Sequence, residues 1–306
     1  MLPTQRGGFR LFRLAGIDVF LHWTWFVVAV IEVRRAQAYS SPVWSVLEYL
    51  ALFVIVTMHE FGHALACRQV GGRAERIVLW PLGGVAYVDP PQRPGATLWS
   101  IAAGPLVNAV LVPALAGLYL LARAAGWAVD APDALGLLRA IAYINLGLLL
   151  FNMLPVYPLD GGQILRSLLW YVLGRARSLM AASLLGLLGV LGLAALALWS
   201  QSAWFGILAA FVGMNCWQGF QHARALSRVE RLPRHAAYTC PSCRTAPPAG
   251  PLWTCGACHA PLDVFEAHGT CPSCGAQFAI VRCASCGAAA SLDEWAVGAA
   301  TPLAQA

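Results

Sequence analysis

The sequence contains no lysine, and charged residues of all kinds make up only 11% of its 306 positions. Ordinary soluble domains carry roughly 25% charged residues, so this scarcity argues against a soluble protein. The apolar residues instead form long runs, several of which reach the roughly 20 residues needed to cross a bilayer. Six runs predict six membrane spans. Their approximate limits are Ile17–Val33, Val43–Cys67, Leu98–Ala122, Leu137–Val156, Leu179–Trp199 and Trp204–Phe220.

The arginines predict the orientation of these spans, since every one of the 20 basic residues is arginine. With six spans, fourteen arginines fall on the side of the N-terminus and four on the opposite side, and two lie in the C-terminal tail. Cytoplasmic loops carry an excess of basic residues, so both termini are predicted to be cytoplasmic. The net charge of +6 then reflects membrane topology, and a nucleic-acid partner is not expected. No cleavage site follows the first run, which we interpret as a retained span.

A change in composition after residue 222 divides the sequence into a membrane core and a small C-terminal module. We predict a core over residues 1–222, a polar linker over 223–237, a cysteine-rich module over 238–290 and a disordered tail over 291–306. Within the core, residues 73–90 contain two short β-rich runs around Gly83 and Gly84, a pair that suits a tight turn. This interruption predicts a membrane-associated β-hairpin in an otherwise all-α fold.

The second run contains the sequence HEFGH, which places His59 and His63 four residues apart. On a helix this spacing brings both imidazoles to one face, within reach of a single ion. Soluble zinc peptidases use such a pair, and the adjacent glutamate takes a proton from the bound water. Glu60 holds that position. An acidic residue at the centre of a membrane helix costs about 2.5–3.5 kcal/mol, so we expect Glu60 to serve catalysis.

A third metal ligand is expected from the sequence NMLPVYPLDGGQ at 152–163, where Asp160 follows the fourth run. Pro155 and Pro158 end the helix there, and the two glycines after Asp160 allow a sharp turn that could aim its carboxylate into the bundle. The chain crosses the membrane twice between His63 and Asp160, so both lie in the same leaflet. Asp160 could also cap the following helix, a role compatible with metal binding.

Three motifs occur in a fixed order: HEFGH, AGPLVN at 103–108 and NMLPVYPLDGG at 152–162. Together they resemble the site-2 protease family of intramembrane zinc metalloproteases. The resemblance covers roughly residues 1–222 and includes the glycine-centred hairpin. The sequence shows neither a PDZ-like insertion nor a CBS-domain signature, so it is similar to the compact branch of the family.

The resemblance implies cleavage of transmembrane or membrane-proximal segments of substrate proteins, as in regulated intramembrane proteolysis. It also implies that His59, His63 and Asp160 hold a catalytic zinc ion and that Glu60 is the catalytic base. The expected location is the cell membrane of a bacterium or an archaeon.

Asn108 and Asn152 match the asparagines of two motifs of this family. The resemblance implies that both help to bind the substrate or the oxyanion. The residues themselves leave an alternative open, since amides in membrane helices often serve only as contacts between helices.

Eight of the ten cysteines form four C-x-x-C pairs in the C-terminal module. Four such pairs predict two tetrahedral zinc sites in a double zinc ribbon, because a module this short needs metal in order to fold. Taking the pairs in sequence order, we expect two structural sites. The first is Cys240, Cys243, Cys255 and Cys258, and the second is Cys271, Cys274, Cys283 and Cys286.

Two other uses of these cysteines compete with zinc. Four disulfides are disfavoured, because the arginine distribution places the module in the reducing cytoplasm. The sequence CGACH at 255–259 matches a haem attachment motif, but it lies within a regular series of cysteine pairs. Arg244 and His259 stand where the last two pairs are followed by glycine, so the first site departs from the usual ribbon pattern.

The sequence therefore predicts an all-α polytopic membrane protein with six transmembrane helices, a β-hairpin and a zinc-ribbon module. Its predicted function is that of an intramembrane zinc endopeptidase with one catalytic and two structural zinc ions. The expected partners are the lipid bilayer, a membrane protein substrate with a transmembrane segment, and a cytoplasmic protein recognised by the ribbons. An alternative is a catalytically weak membrane scaffold that presents the ribbons as a protein-binding module. A zinc transporter is disfavoured, because the spans hold almost no charged residues outside the catalytic set.

Overall fold

The computed structural model describes residues 8–27, 29, 39–80 and 83–296, and the chain divides into two compact units. The first unit is Met1–Pro90 with Pro94–Gln221, and the second is Pro91–Arg93 with His222–Ala306. Long apolar helices and one β-sheet make up the first unit. The second unit holds the cysteine pairs and two short hairpins.

The first unit is mostly helical but contains a four-stranded sheet, so the prediction of an all-α fold with a single β-hairpin is correct only in part. The strands, in their spatial order, are β1 (Gly8–Leu14), β2 (Ile17–His22), β3 (Arg73–Trp80) and β4 (Gly83–Asp89). β2 and β3 run parallel, and the two outer pairs are antiparallel. β3 therefore has a neighbour on each side, whereas β4 lies at the edge of the sheet.

Strands β3 and β4 form the antiparallel pair expected between residues 73 and 90, but the predicted turn is displaced. Gly83 pairs with Trp80 and Gly84 pairs with Leu79, so both glycines belong to β4. The connecting residues 81 and 82 lie outside the described part of the chain. Position 84 requires glycine for a different reason: an added Cβ there would overlap the side chain of Glu60.

Strand β2 occupies the start of the predicted first span, Ile17–Val33, which is therefore not a helix throughout. Its burial alternates along the strand. The buried positions are Ile17, Val19 and Leu21. A period of two is typical of a strand with one face in the core. The alternation is less clear in the sequence, because Phe20 on the other face is apolar as well. Residues 24–27 are helical, and most of the remaining predicted span lies outside the described residues.

Helices dominate the rest of the first unit. They are α1 (Pro42–Gln69), α2 (Pro94–Ala124), α3 (Trp127–Asp130), α4 (Pro132–Asn152), α5 (Asp160–Leu173), α6 (Arg175–Ser200) and α7 (Ala203–Glu230). In the described residues, α1, α2, α4 and α6 are long and apolar enough to cross a membrane. They coincide with the predicted second to fifth spans. The predicted sixth span, Trp204–Phe220, lies in α7, which is not among the four, so the count of six spans is not confirmed.

Helix α1 is fixed on two sides along its second half. It begins at Pro42 after the cap residue Ser41, and its buried positions concentrate between residues 55 and 67. There it packs against α2 and against the sheet. The close approach to α2 depends on Gly62, where an added Cβ would lie 2.6 Å from the carbonyl oxygen of Ala103. The part of α1 that carries the HEFGH sequence is thus held rigidly.

The second unit has a small core built around two aromatic residues. Its elements are β5 (Trp253–Thr254) with β6 (Pro261–Leu262), β7 (Val281–Arg282) with β8 (Ala289–Ala290), and the short helix α8 (Leu292–Trp295). The rings of Phe265 and Trp295 lie 5.0 Å apart, centroid to centroid, and both side chains are buried.

This unit extends beyond the predicted limits of the cysteine module at both ends. Much of the predicted linker, 223–237, is the end of α7, and His235 makes a backbone hydrogen bond of 3.0 Å within the unit. The predicted disordered tail is ordered as far as residue 296. Trp295 fills the core, and its carbonyl accepts a hydrogen bond of 2.7 Å from the N–H group of Thr239. Residues 297–306 lie outside the described residues.

Candidate metal centre and active site

Three potential metal ligands from two helices meet inside the first unit. His59 and His63 lie one turn apart on α1, and Asp160 is the first residue of α5. Nε2 of His59 lies 3.1 Å from Nε2 of His63 and 3.1 Å from Oδ2 of Asp160. The third side of this metal triangle, from His63 to Asp160, measures 3.5 Å. The structure thus brings together the three residues that the sequence predicts as ligands.

The metal triangle fits a zinc ion in both size and chemistry. Two ligand atoms about 2.0–2.1 Å from a tetrahedral zinc ion are about 3.3 Å apart, close to the three sides observed. Both histidines direct Nδ1 at an oxygen acceptor, so each neutral ring presents a lone pair at Nε2. In the described part of the chain, no donor bonds to the buried Oδ2 of Asp160. Two lone pairs and a carboxylate oxygen at such distances repel one another unless a cation lies between them.

The turn between α4 and α5 directs Asp160 towards the histidines. The segment 153–159, with its two prolines, separates the helices. An added Cβ at Gly161 would lie 2.5 Å from the carbonyl oxygen of Leu154, so this turn is tight enough to require glycine. The N-cap of α5 is Leu159, so Asp160 does not cap the helix. Its carboxylate points at the histidines instead.

Each histidine is held by a hydrogen bond at its other ring nitrogen. Nδ1 of His63 lies 2.9 Å from the carbonyl oxygen of Ser100, and Nδ1 of His59 lies 2.6 Å from Oδ1 of Asn108. Asn108 donates from Nδ2 to Oδ1 of Asn145 at 2.8 Å, and Asn145 donates from Nδ2 to the backbone oxygen of Asn108 at 3.0 Å. Such outer hydrogen bonds fix the orientation of metal ligands.

The two asparagines predicted to bind substrate occupy different surroundings. Asn108 is completely buried beside His59, whereas Asn152 is the last residue of α4 and is only partly buried. Substrate binding by either residue stays a prediction. The contact with Ser100 could not be predicted, because a backbone carbonyl leaves no trace in the sequence. Asn145 was not predicted either, although an isolated amide in an apolar run is an available signal.

Glu60 lies beside the metal triangle without belonging to it. Its side chain is buried, and Oε2 accepts a hydrogen bond of 2.8 Å from the N–H group of Ala86 in β4. Gly84 on the same strand leaves space for this carboxylate, since an added Cβ there would lie 2.5 Å from Oε1. Strand β4 therefore holds one carboxylate oxygen and makes room for the other.

The eight paired cysteines form two clusters in the second unit, with four sulfur atoms in each. The outer cluster is Cys240, Cys243, Cys283 and Cys286, and the inner cluster is Cys255, Cys258, Cys271 and Cys274. Sulfur atoms of different pairs approach to 3.6–3.8 Å. Sulfurs about 2.3 Å from a tetrahedral zinc ion are about 3.8 Å apart, so both clusters fit zinc. All eight cysteines are thiols rather than disulfides.

This grouping corrects the predicted one, which joined neighbouring pairs in sequence order. The first C-x-x-C pair joins the fourth, and the second joins the third, so one cluster lies within the loop closed by the other. The sequential grouping would close shorter loops, but each doubling of loop length costs only about 0.6 kcal/mol of closure entropy. The packing of the chain around Phe265 and Trp295 outweighs so small a difference.

All four C-x-x-C pairs share one backbone conformation. In each, the fourth residue after the first cysteine donates its N–H group to that cysteine's carbonyl at 2.8–3.0 Å. This residue has a positive φ, which is 75° at Gly275 and at Gly287. Arg244 and His259 adopt the same conformation, with φ of 55° and 59°. The two residues that depart from the glycine pattern therefore take up glycine's geometry at some cost in strain.

A helix that carries HEFGH, an aspartate from a second helix and a buried glutamate beside them form an arrangement typical of zinc metalloprotease sites. The family model of Peptidase family M50 matches residues 48–124 and 114–196, which include all four side chains. The chain belongs to this family, the site-2 proteases.

Individual relatives show the same similarity. Zinc metalloprotease MJ0392 of Methanocaldococcus jannaschii is 34% identical over 177 residues, which are 58% of this chain and 50% of that protein. Putative zinc metalloprotease sll0528 of Synechocystis sp. is 30% identical over 204 residues, which are 61% of this chain and 52% of that protein. The chain thus spans about half the length of the curated relatives it matches. The solved structure of a site-2 protease from Methanocaldococcus jannaschii aligns with a TM-score of 0.52 and 29% identity, covering 70% of this chain and 95% of that one.

Three statements follow from the family and the structure together. The chain is an integral membrane protein, since its family membership agrees with its four long apolar helices. Zinc is its metal, since the family is one of zinc metalloproteases and the clusters fit this ion. The resemblance inferred from the three sequence motifs is confirmed.

Proposed function

We propose that this chain is an intramembrane zinc endopeptidase that cleaves transmembrane or membrane-proximal segments of other membrane proteins. The observation that carries the proposal is the position of the site. Two corners of the metal triangle and Glu60 lie on α1, a helix apolar enough to cross a membrane. A centre placed there meets peptide bonds within the bilayer or at its surface, which suits a role in regulated intramembrane proteolysis.

The residues at the centre divide the chemistry between them. His59, His63 and Asp160 would hold the catalytic zinc, each through one atom. When bound, the ion polarises the scissile carbonyl and makes a water molecule acidic enough to lose a proton near neutral pH. Glu60 acts as the base, taking the proton of the attacking water and returning it to the leaving amine. The N–H group of Ala86 holds Oε2 of Glu60, so the carboxylate keeps its orientation during both transfers.

The edge of strand β4 would receive the substrate. A transmembrane helix keeps its carbonyl groups in hydrogen bonds, so a substrate segment must unwind before it is cut. An edge strand offers unpaired N–H and C=O groups to an extended segment, which can add to the sheet as a further strand. The N–H group of Ala86 on β4 is bonded to Glu60. A segment added along β4 would therefore pass beside the base.

We assign different roles to the two asparagines that match motifs of this family. Asn152 at the end of α4 is partly exposed, and its amide can donate to a substrate carbonyl. Asn108 is enclosed and bonded to His59, so we assign it to the orientation of that ring.

The cysteine clusters bring the proposed zinc content to three ions, one catalytic and two structural. Each cluster offers four sulfur atoms and leaves no position for water, which is the arrangement of a structural site. We infer from the arginines, counted over the six predicted spans, that the termini and hence the ribbons are cytoplasmic, and from the family resemblance that the cell is bacterial or archaeal. There the ribbons would bind a cytoplasmic protein or the cytoplasmic tail of a substrate.

The test compares the membrane proteomes of cells that express the wild type or the Glu60→Gln variant. We expect proteins with a single transmembrane segment to accumulate uncut in the variant. Glu48→Gln is the matched control, because Glu48 also lies on α1 but bonds to Tyr39, away from the metal triangle. Identical proteomes for the wild type and Glu60→Gln would contradict the proposal and support the scaffold alternative.

A further inference from the structure

We propose that Asn145 is a positioning residue that fixes the tautomer of His59 through the side chain of Asn108. The inference rests on the proposed function, because it treats His59 as a metal ligand. It concerns a residue of α4 whose side-chain hydrogen bonds, among the described residues, go to Asn108 and not to the metal triangle or Glu60.

The backbone carbonyl of Asn108 can only accept a hydrogen bond, and this fixes the orientation of both amides. The backbone carbonyl of Asn108 lies 3.0 Å from the amide of Asn145, so Asn145 must turn its NH₂ group towards that carbonyl. Its Oδ1 then faces the side chain of Asn108, 2.8 Å away, where only an NH₂ group can satisfy it. The amide of Asn108 is therefore oriented with Oδ1 towards Nδ1 of His59, at 2.6 Å. An acceptor at this distance requires the proton on Nδ1 and leaves the lone pair on Nε2.

Because these side chains are buried, their mutual hydrogen bonds determine the orientation of each amide. Asn108 and Asn145 have no exposed surface, and His59 is 4% exposed. In such a site an amide that rotates by half a turn loses its hydrogen bonds without replacement by bulk water. A rotated Asn108 would present NH₂ to Nδ1 of His59, which would move the ring proton to Nε2 and remove the lone pair from the metal triangle.

The two histidines differ in this respect. Nδ1 of His63 bonds to the backbone carbonyl of Ser100, which cannot rotate independently, so its tautomer needs no further support. His59 depends on a side chain that can rotate, and that side chain depends on Asn145. Residues that support a metal ligand in this way typically change metal affinity by about 10–100-fold when they are removed.

The experiment uses the full-length protein with ¹⁵N-labelled histidine, in which His59 is identified by the signals lost in His59→Ala. Asn145→Leu keeps the size of the side chain but removes both hydrogen bonds. We expect it to lose the Nδ1–H tautomer of His59 and to release the membrane zinc to a chelator about 10–100-fold more readily. Asn145→Asp should restore both properties, because a buried carboxyl group is held neutral and then carries one donor and one acceptor. Asn215→Leu is the matched control, since in the described part of the chain the amide of Asn215 in α7 donates to the carbonyl of Phe211 in the same helix.

The outcomes separate this inference from the proposed function. If His59→Ala retains the membrane zinc, the metal site itself is wrong. If His59→Ala loses it while Asn145→Leu keeps both the tautomer and the zinc, only the role of Asn145 is overturned. Should Asn145→Leu fail to fold, the chelator-treated wild type decides the question. The amide pair should hold His59 as the Nδ1–H tautomer without the ion, and an Nε2–H ring there would contradict the proposal.

Discussion

The carboxylate of Glu60 fills the space that a side chain at position 84 would need. Gly84 lies in β4, and an added Cβ would overlap the Cγ and Cδ atoms of Glu60 and lie 2.5 Å from Oε1. The N–H group of Ala86, two residues further along, bonds to Oε2. Strand β4 and helix α1 therefore fit together at Glu60, the residue that we assign as the base. Gly84, a residue type that the sequence suggests for a turn, is instead part of the site.

Replacing Gly84 by alanine should displace Glu60 while the metal ligands stay in place. A displacement of about 1 Å at a catalytic group can reduce the rate about 100-fold, so we expect a loss of this order for Gly84→Ala. The zinc content should not change, because Gly84 does not touch the metal triangle. Peptide-bond cleavage in liposomes and zinc content measure the two effects. Gly117→Ala in α2 is the control, since an added Cβ there meets nothing within 4 Å. Full activity of Gly84→Ala would argue against a catalytic role for Glu60.

Blocking the edge of β4 should slow cleavage of helical substrates. The N–H group of Ala86 points away from β3 to Glu60, and alternate residues of a strand point the same way, so we expect the N–H group of Val88 to face the same edge of the sheet. Val88→Pro removes this donor without breaking the ladder between β3 and β4. Val88→Ala is the control, because it trims the side chain and keeps the donor. We expect the proline variant to cut a helical substrate more slowly, relative to an extended one, than the alanine variant does. Equal ratios for the two variants would argue against strand addition.

The residues that we propose as catalytic could be located in the sequence because their pattern is local. His59, Glu60 and His63 lie within two turns of one helix, and Asp160 follows a break that two prolines and two glycines mark in the sequence. The sheet could not be predicted in full, because β2 pairs in parallel with β3, far along the chain. Such a partner leaves no local signal, and the strand was therefore interpreted by its apolar character as part of a membrane helix.

Paired cysteine substitutions should distinguish the observed grouping from the sequential one. The double variant Cys240→Ser/Cys286→Ser removes two ligands from the outer cluster and should lose one zinc ion. The double variant Cys240→Ser/Cys255→Ser removes one ligand from each cluster and should lose both structural ions. Zinc content per chain, measured after chelation of weakly held metal, reads out the difference. The reverse result would restore the sequential grouping.

Glycine at positions 244 and 259 should stabilise the ribbons. Arg244 and His259 adopt a positive φ that costs a residue other than glycine about 1 kcal/mol. Arg244→Gly and His259→Gly should each raise the chelator concentration that unfolds the second unit. Arg282→Gly is the control, because Arg282 lies in strand β7, where glycine destabilises by about 0.5–1 kcal/mol. Destabilisation by all three substitutions would show that strain at the two positions is negligible.

The cysteine sites, like the sheet, could be predicted from the sequence only as far as their local structure. The C-x-x-C spacing predicts all eight cysteines as ligands, because each pair is a local structure with its own hydrogen bonds. Which pairs share an ion depends on the core around Phe265 and Trp295, and Trp295 lies in a segment whose composition predicts disorder. Long-range packing decides which pairs share an ion, and the spacing of the cysteines in the sequence does not predict it.

The most direct test of the account combines cleavage and zinc content in one purified system. Full-length wild type, Glu60→Gln and Asp160→Ala are placed in liposomes with a substrate that has a single transmembrane segment. Gln retains an oxygen that accepts the N–H group of Ala86, so Glu60→Gln should keep three zinc ions per chain and cut nothing. Asp160→Ala removes one corner of the metal triangle, so it should hold only the two ribbon ions and also cut nothing. Wild type should hold three ions and cleave the substrate. Cleavage by Glu60→Gln, or three ions retained by Asp160→Ala, would contradict the assignment of base and ligands.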